Sequence, residues 1–336
     1  MTKKQKSFLA VLVTIFVTSI CFNCSLEPSK IKKTNSVTII SWNVQTFFDS
    51  QIVGTEYSDF KKKDKWNQNM YIARIERLCD SIKMFDADIL VFQEIENKAV
   101  MYDIVNFLSG NLARNKNYDY MCFAKDNESA IGCGILSRFP LGTAMVHQLD
   151  SRVNGSQPSL RPLLEIVVKN TEIDNSDLFT LIVCHWKSKS GGEEVASLWQ
   201  KEQEKILARR VDFLTKSKIP VVICGDFNKD IDEFEKNPHK STDVLMNSIS
   251  VTSGWLLTDE NNTEQNNIGS YWYKEKWEKI DHFFVNDKAF IDNFNVIDTG
   301  PWAVFDDMGN LIPYRFSLWN GAGYSDHFPL ECTVSF

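Results

Sequence analysis

Apolar and polar positions recur along the chain with two different spacings, which predict a mixture of strands and helices. A mostly apolar run over 37–42 predicts a strand that ends at Asn43, and residues 88–93 predict a second buried strand that stops at Glu94. Between these strands, residues 67–85 have apolar side chains at helical spacing. The apolar positions of this predicted helix are Ile72, Ile75, Leu78, Ile82 and Phe85.

The same mixture continues to the end of the chain. Further strands are predicted at 131–136, 163–168, 178–185, 219–224, 280–285 and 330–335, and further helices at 99–112 and 193–216. The elements lack the regular strand–helix alternation of a doubly wound sheet, and no internal repeat is visible. No stretch rich in Pro, Gly or Ser divides residues 37–336, so we expect one domain there, with the polar residues 230–267 as a surface insertion.

The first 24 residues have the pattern of an export signal. Lys3, Lys4 and Lys6 precede the apolar residues 8–20, a stretch that is too short for a comfortable transmembrane helix. The stretch runs into ICFNC, which resembles the signal of a bacterial lipoprotein. In such a signal a cysteine is lipidated and becomes the first residue of the mature protein.

We therefore predict a signal peptide over residues 1–24, with Cys24 as the lipidated residue because the small, polar Asn23 precedes it. Cys21, which follows a bulky residue, is the second choice. Residues 25–36 are polar and rich in lysine, and we interpret them as a tether. The protein would then be exported and anchored to a bacterial membrane, in the periplasm or at the cell surface. An uncleaved anchor or a plain secretion signal is the alternative.

Composition and charge limit the partners. The chain has 336 residues, of which 43% are hydrophobic, enough for a large core. The formal net charge is −7, and the first 24 residues contain no acidic side chain, which leaves 34 basic against 44 acidic side chains in the remainder. This balance argues against charge-driven, non-specific binding to nucleic acid. It still permits a hydrolase that holds one phosphate through a metal ion.

The chain has eight cysteines, and their spacing does not match a zinc site. Several lie inside apolar, strand-like runs, so we expect small buried hydrophobic side chains, with one disulfide left open as an alternative. The eight are Cys21, Cys24, Cys79, Cys122, Cys133, Cys184, Cys224 and Cys332.

Polar side chains collect at or near the ends of the predicted strands. One such residue is commonly a turn or a cap, but six clusters of this kind are hard to explain as caps. Strand ends that meet at one edge of stacked sheets can hold a site on a rigid scaffold. The residues in these clusters are Asn43, Glu94, His185, Asp226, Asn228, Asp281, Asp326 and His327.

Most of these side chains offer hard oxygen atoms. The oxygen donors are the carboxylates of Glu94, Asp226 and Asp326 and the amides of Asn43 and Asn228. Such donors suit Mg²⁺ or Mn²⁺, with Ca²⁺ also compatible, rather than zinc. The two histidines can titrate near neutral pH. A metal ion, histidine and carboxylate together indicate metal-assisted hydrolysis of a phosphate ester.

Six short motifs contain these residues, namely SWNV, FQEIEN, HWKSKSGG, GDFN, KIDHFFV and YSDHFPL. In order and approximate spacing they resemble the endonuclease/exonuclease/phosphatase superfamily, from about residue 37 to the C-terminus. The resemblance implies a four-layer α/β sandwich of two packed mixed β-sheets flanked by helices, with the active site at one edge. It also implies hydrolysis of phosphoric esters with a divalent metal ion.

The resemblance assigns roles to the oxygen donors. Glu94 matches the main metal carboxylate, and Asp326 matches the second acid on the metal side. Asn43 matches the amide beside the metal. Asp226 and Asn228 match the pair that orients the attacking water and contacts the phosphate. Gln45 departs from the nucleic-acid-repair members, many of which have an acid at its position.

The resemblance also assigns roles to the remaining polar residues. His327 matches the histidine that activates water or stabilises the pentacoordinate phosphorus, and Asp281 matches the carboxylate that fixes its tautomer. His185 matches the histidine near the leaving group. Arg161 and Lys187 are candidate phosphate contacts. A structural ion pair for the arginine and a solvated loop for the lysine are the alternatives.

Other aromatic and histidine residues receive structural interpretations. His282 should point to the opposite strand face from Asp281. His147 and His239 have no motif around them, and we expect them at the surface. Core packing is favoured over base stacking for the four aromatic residues before Asp281. These are Tyr271, Trp272, Tyr273 and Trp277.

We predict a nuclease that cleaves phosphodiester bonds in DNA or RNA with Mg²⁺ or Mn²⁺, and we expect a monomer. One alternative keeps the mechanism and changes the substrate to a phospholipid or an inositol phosphate. Another is a catalytically idle lipoprotein that binds a partner. The complete set of polar motif residues argues against idleness.

Overall fold

The computed structural model describes residues 36–148, 160–170, 176–234, 243–248, 251–260 and 268–336. These residues belong to one compact unit with the bounds Asn35–Phe336. The predicted signal peptide, with Cys21 and Cys24, lies outside the described residues, as do His239 and all but the last residue of the predicted tether. Among the described residues, no helix is long and apolar enough to cross a membrane.

Two six-stranded mixed sheets form the centre of the fold. The first contains β1 (Ser36–Phe47), β2 (Ile89–Ile95), β3 (Tyr120–Ala124), β4 (Gly132–Ser137), β13 (Phe290–Val296) and β16 (Leu330–Ser335), in the order β13-β16-β1-β2-β4-β3. The second contains β5 (Leu141–His147), β6 (Leu163–Lys169), β7 (Asp177–His185), β8 (Val221–Asp226), β9 (Thr252–Ser253) and β12 (Asp281–Val285), in the order β5-β6-β7-β8-β12-β9. The remaining strands form two hairpins, β10 (Tyr271–Tyr273) with β11 (Lys276–Glu278) and β14 (Ala303–Phe305) with β15 (Leu311–Pro313).

Helices begin where the sequence places polar caps. The helices are α1 (Gln68–Met84), α2 (Lys98–Ser109), α3 (Glu193–Lys216), α4 (Leu245–Ser248) and α5 (Gly254–Glu260). The side chain of Asn67 accepts hydrogen bonds from two N–H groups of the first turn of α1, and the side chain of Asn97 accepts one, from Val100, at the start of α2. One predicted core position is wrong, because Ile72 is 44% exposed while the other four predicted apolar positions are buried.

The inner faces of the two sheets pack against each other. One apolar cluster joins Val37 and Val91 of the first sheet to Leu181 and Val222 of the second. The buried faces of α1 and α2 pack with the outer face of the first sheet in a second cluster, and α3 packs on the second sheet through residues such as Leu207. The molecule is thus a four-layer α/β sandwich, which confirms the fold predicted from the sequence.

Strand direction brings the predicted polar residues to one edge. β1 runs parallel to β2, and β7 runs parallel to β8, so the C-terminal ends of each pair lie together. β12 is antiparallel to β8 and places its first residue, Asp281, opposite Asp226. A 2.9 Å hydrogen bond from Asn43 Nδ2 to Asp226 Oδ2 joins the edges of the two sheets.

The structure differs from the sequence-based elements in three ways. β1 continues through Asn43 to Phe47 by way of an irregular segment. Strands β3, β5, β9, β10, β11, β13, β14 and β15 were not predicted. Part of 230–267 is packed rather than a surface insertion, since Trp255 is buried and donates a hydrogen bond to the Asp281 carbonyl. Apolar residues from this segment complete the core beside β12.

The cysteine prediction agrees with the described residues. All six of their cysteines are free, and all but the partly buried Cys122 are fully buried.

Candidate active site

A cavity of about 270 Å³ opens at the edge where the polar strand ends meet. Six of the eight polar motif residues line it, while Asn43 and Asp281 lie behind its wall. The lining residues are Glu94, His185, Ser188, Lys189, Ser190, Asp226, Asn228, Tyr271, Tyr273, Glu278, Ile280, Asp326 and His327. The fold therefore gathers residues separated by more than 200 positions into one site.

A buried carboxylate–imidazole pair forms one side of this cavity. His327 Nδ1 lies 2.7 Å from Asp281 Oδ2, and both side chains are almost fully buried. The ring of Tyr271 lies 4.8 Å from the His327 ring, centroid to centroid. Burial alone lowers the pKa of His327, but the charge and hydrogen bond of Asp281, with the nearby carboxylates, outweigh burial and raise the pKa to about 10. The contact with Asp281 therefore favours the protonated form of His327.

Asp226 is the most heavily hydrogen-bonded acid of the site. Its Oδ1 accepts the backbone N–H of Asn228 at 2.8 Å, and its Oδ2 accepts the side-chain amides of Asn43 and Asn228 at 2.9 and 3.1 Å. Burial and the neighbouring Asp281 raise the pKa of Asp226 to about 7, against the opposing effect of His327. A carboxyl group with such a pKa can exchange a proton near neutral pH.

An irregular backbone segment aims Glu94 at the cavity. Glu94 has a φ of 67°, in the left-handed region, and so do Gln45 and Thr46 of β1. Glu94 Oε2 accepts the Thr46 N–H at 2.5 Å, and Glu94 Oε1 lies 3.3 Å from Asn43 Nδ2. The Asn43 oxygen accepts the Gln45 N–H instead. In this geometry the Asn43 amide nitrogen faces the carboxylates, and the role of its oxygen as a metal ligand stays a prediction.

His185 is a neutral side chain between two acids. Its Nε2 lies 3.6 Å from Asp226 Oδ2 and 3.9 Å from Glu94 Oε1, and its Nδ1 is buried without a hydrogen-bond partner. Burial, followed by the charges of Arg161 and His327, lowers the pKa of His185 well below its usual range. Its one N–H therefore belongs on the nitrogen that faces the site.

The open oxygens of the cavity fit a hard divalent cation. Glu94 and Asp326 both line the cavity, and their side chains are 18% and 17% exposed. A tighter group of possible ligand atoms is Asp226, Asp281 and His327, which lie within 4.8 Å of one another. In that group the imidazole nitrogen already bonds Asp281 and the oxygens of Asp226 already accept amides. The carboxylates that open to the cavity, Glu94 and Asp326, offer the oxygen donors that Mg²⁺ and Mn²⁺ prefer.

Arg161 and Lys187 do not line the cavity. The Arg161 guanidinium donates to the Trp186 carbonyl at 3.2 Å and lies behind His185. The backbone of Lys187 is held by Gln203 and Gln200 of α3. Direct phosphate contacts by these two side chains stay predictions, since neither side chain reaches the cavity lining in this geometry.

The hairpin of β10 and β11 supplies residues that sequence reasoning misplaced. Tyr271 and Tyr273 line the cavity, stacked with centroids 6.0 Å apart, rather than the core. Their spacing of two residues puts them on one face of a strand, which is the signal that could have found them. Lys189 and the serines beside it lie in the HWKSKSGG motif but received no role from the sequence, and Glu278 had no motif to mark it.

Two further histidines lie outside the cavity. His282 is buried, donates from Nε2 to the Lys229 carbonyl at 2.8 Å, and packs against phenylalanine rings, as a structural residue would. His147 is not a free surface residue, because its Nε2 lies 2.8 Å from the buried carboxylate of Glu165.

A family model described as the Endonuclease/Exonuclease/phosphatase family matches residues 38–335. The chain belongs to this family. The resemblance predicted from the motifs is confirmed, and the chain is a phosphoric ester hydrolase by class. A search of curated proteins returned no match.

Solved structures share the fold of this family member at low sequence identity. D. rerio TDP2, humanized by 14 mutations, is 16% identical and matches with a TM-score of 0.56 over 90% of this chain and all of that chain. D. rerio TDP2 with a single-strand DNA product is 15% identical, with a TM-score of 0.52 over 90% and 99%. A Bacteroides thetaiotaomicron mannosyl-6-phosphatase is 14% identical, with a TM-score of 0.53 over 89% and all of that chain.

Proposed function

We propose that this protein is a divalent-cation-dependent phosphodiesterase in which His327, held by Asp281, acts at phosphorus. The observation that carries the proposal is the 2.7 Å contact between the buried His327 Nδ1 and Asp281 in the wall of the cavity. Burying a charged pair costs desolvation energy, and such pairs in clefts are typical of catalytic sites. Glu94 and Asp326 would hold Mg²⁺ or Mn²⁺ beside this pair.

Each side chain has a task that its geometry permits. The cation, when bound, neutralises charge on the phosphoryl oxygens. His327 can donate its Nε2 hydrogen to a phosphoryl oxygen, where negative charge increases in the transition state. Asp226 and Asn228 can orient the attacking water, since both line the cavity. His185 can donate from Nε2 toward the leaving group.

A nucleic-acid strand is the first candidate substrate. The stacked pair of Tyr271 and Tyr273, the latter 47% exposed, offers aromatic surface to a base. The D. rerio TDP2 neighbour is described with a single-strand DNA product. Lys189 is a cation among the residues that line the cavity.

A small phosphate ester with hydroxyl groups is the second candidate. Glu278 lines the cavity, and burial, together with the charges of Asp230, Glu233 and Glu193, raises its pKa against the effect of Lys189. A polyanion would meet these carboxylates, whereas the hydroxyl groups of a neutral sugar or polyol can donate to Glu278. The fold of a mannosyl-6-phosphatase is similar.

One panel of substrates tests the proposal. Plasmid DNA, RNA, bis-p-nitrophenyl phosphate, p-nitrophenyl phosphate, a hexose 6-phosphate and sphingomyelin are each assayed with Mg²⁺, Mn²⁺ or chelator. We expect phosphodiester hydrolysis that chelator abolishes and Mg²⁺ or Mn²⁺ restores. Full activity in excess chelator would contradict the dependence on a divalent cation. Cleavage of the hexose 6-phosphate alone would favour the second candidate substrate.

We also propose that Cys24 anchors the protein to a bacterial membrane. The support is the apolar stretch 8–20 followed by ICFNC. Mass spectrometry of the mature N-terminus should show an acylated cysteine at position 24, and acylation at Cys21 or a free N-terminus would refute this placement.

A further inference from the structure

Arg74 of α1 is a fully buried charged side chain at the base of the site. It forms no ion pair with a carboxylate within 4.0 Å in the ranges that the structure describes, and only 2% of its surface is exposed. Its guanidinium donates to the carbonyls of Val44 and Thr46 at 3.0 Å each, and to that of Gln45. A buried cation that binds three consecutive carbonyls is placed to hold that backbone.

The three carbonyls belong to the irregular segment of β1 that contacts Glu94. Gln45 and Thr46 have φ values of 49° and 45°, a region that non-glycine residues occupy only at a cost. From this segment the Thr46 N–H donates to Glu94 Oε2 at 2.5 Å, and the Gln45 N–H donates to the side chain of Asn43 at 3.0 Å. The strained backbone thus fixes two side chains of the site.

A second chain segment closes around the same guanidinium. The ring of Phe316 lies 3.5 Å from Arg74 Cζ, and the ring of Phe47 lies 4.4 Å away on β1. The Gln45 side chain accepts the Phe316 N–H at 2.9 Å and donates to the Phe316 carbonyl at 3.2 Å. Arg74 is therefore enclosed between the segment that orients Glu94 and the chain that leads to Asp326.

We propose that Arg74 is a positioning residue for Glu94. Its guanidinium holds the 44–46 backbone, and the Thr46 N–H of that backbone directs the Glu94 carboxylate at the cavity. The inference rests on the proposed role of Glu94 as a cation ligand. Lysine cannot replace the arginine here, because a single ammonium lacks the planar fork that reaches three carbonyls.

Cation binding by the full chain tests this role without relying on turnover. Mn²⁺ is titrated into the wild type and Arg74→Lys by isothermal titration calorimetry, with circular dichroism as the folding control. Outer partners of metal ligands typically change metal affinity about 10- to 100-fold, and we expect a loss of that size in Arg74→Lys. The matched control is Arg77→Lys, one turn further along α1, whose guanidinium donates to the Gly321 carbonyl. Its Mn²⁺ affinity should stay within about threefold of wild type.

A rescue variant separates positioning from general packing. Glycine adopts a positive φ without strain, so the segment should need less support when Thr46 is glycine. The double variant Thr46→Gly/Arg74→Lys should bind Mn²⁺ at least about threefold more tightly than Arg74→Lys alone. A loss of packing would not be recovered in this way.

The outcomes are distinct. A folded Arg74→Lys protein with wild-type Mn²⁺ affinity would overturn the role of Arg74. If that variant does not fold, Phe316→Leu removes the ring on the guanidinium, and we expect weaker Mn²⁺ binding; unchanged binding there would also overturn the proposal. A wild type that binds no Mn²⁺ would contradict the proposed cation site itself, and this inference with it.

Discussion

At the scale of residues, the site depends on one contact between two buried side chains. Asp281 holds His327 Nδ1 at 2.7 Å, which leaves Nε2 for the cavity. The N–H of Asp281 donates to Ser270 Oγ at 3.1 Å, and the N–H of His327 donates to Ser325 Oγ at 3.1 Å, so both backbones are fixed as well. A catalytic imidazole needs this fixed orientation because its proton must point at one atom of the substrate.

We predict that His327 and Asp281 lose activity as one unit. His327→Ala should lower kcat by roughly 10²- to 10⁴-fold, the usual contribution of a general acid or base. Asp281→Asn should also lower kcat, because the imidazole loses its orienting carboxylate. The double variant should fall little below His327→Ala, since residues that act together are not additive. Steady-state kinetics with bis-p-nitrophenyl phosphate gives kcat for the wild type, the two single variants and the double variant, with circular dichroism as the folding control. If the two losses in kcat multiply in the double variant, Asp281 and His327 act independently.

At the scale of elements, the close approach of β7 and β8 requires a glycine at position 225, the first residue of the GDFN motif. Gly225 has a φ of 131°, and a Cβ added there would lie 2.0 Å from the Cys184 carbonyl oxygen on β7. The glycine lets the two strands carry His185 and Asp226 side by side to the same edge. Any other residue would separate the strands where the site begins.

We predict that Gly225→Ala destabilises the fold by at least about 2 kcal/mol, from backbone strain and the clash with β7. The matched control is Gly110→Ala at the end of α2, where an added Cβ meets nothing within 4 Å. Urea unfolding of both variants gives the free energies. Equal stability of Gly225→Ala and wild type would mean that the strands can shift without cost.

At the scale of the whole molecule, the buried His282 links stability to pH. Burial lowers its pKa from 6.5 to about 4, although the Lys229 carbonyl raises it slightly. Below pH 6.5 His282 binds a proton in the unfolded chain but stays neutral in the folded protein, so the free energy of unfolding decreases as the pH falls toward 4. Above pH 6.5 both states have a neutral imidazole, and His282 has no effect on stability.

We predict that wild type loses about 3 kcal/mol more unfolding free energy than His282→Gln between pH 7 and pH 4, as a shift of this size implies. Glutamine keeps a donor for the Lys229 carbonyl but does not titrate. The measurement is urea unfolding at several pH values. The difference between the two proteins removes the contributions of other titrating groups, such as Asp226, because both proteins contain them. Parallel curves for the two proteins would show that His282 is not the group responsible.

The sequence predicted most of the elements and the members of the site. Helix α3 has the predicted bounds, and α1 differs from its prediction by one residue at each end, because caps and apolar spacing are local signals. The site residues were found because their motifs are short and contiguous. Tyr273 and Glu278 were missed as cavity residues, because a hairpin that folds back over the site has no local mark.

By itself, the sequence determined most of the elements and the set of polar residues at the strand ends, because apolar periodicity and contiguous motifs depend only on order along the chain. The motifs also determined the resemblance to the family, and the four-layer fold was expected from that resemblance. The tertiary structure decided which atoms meet. It turned the Asn43 amide nitrogen toward the carboxylates, placed Arg161 and Lys187 outside the cavity, and buried Arg74 under the segment that contacts Glu94. Such contacts join strands and helices from distant parts of the chain. Their geometry follows from sheet register, backbone strain and burial, which no local stretch of sequence contains.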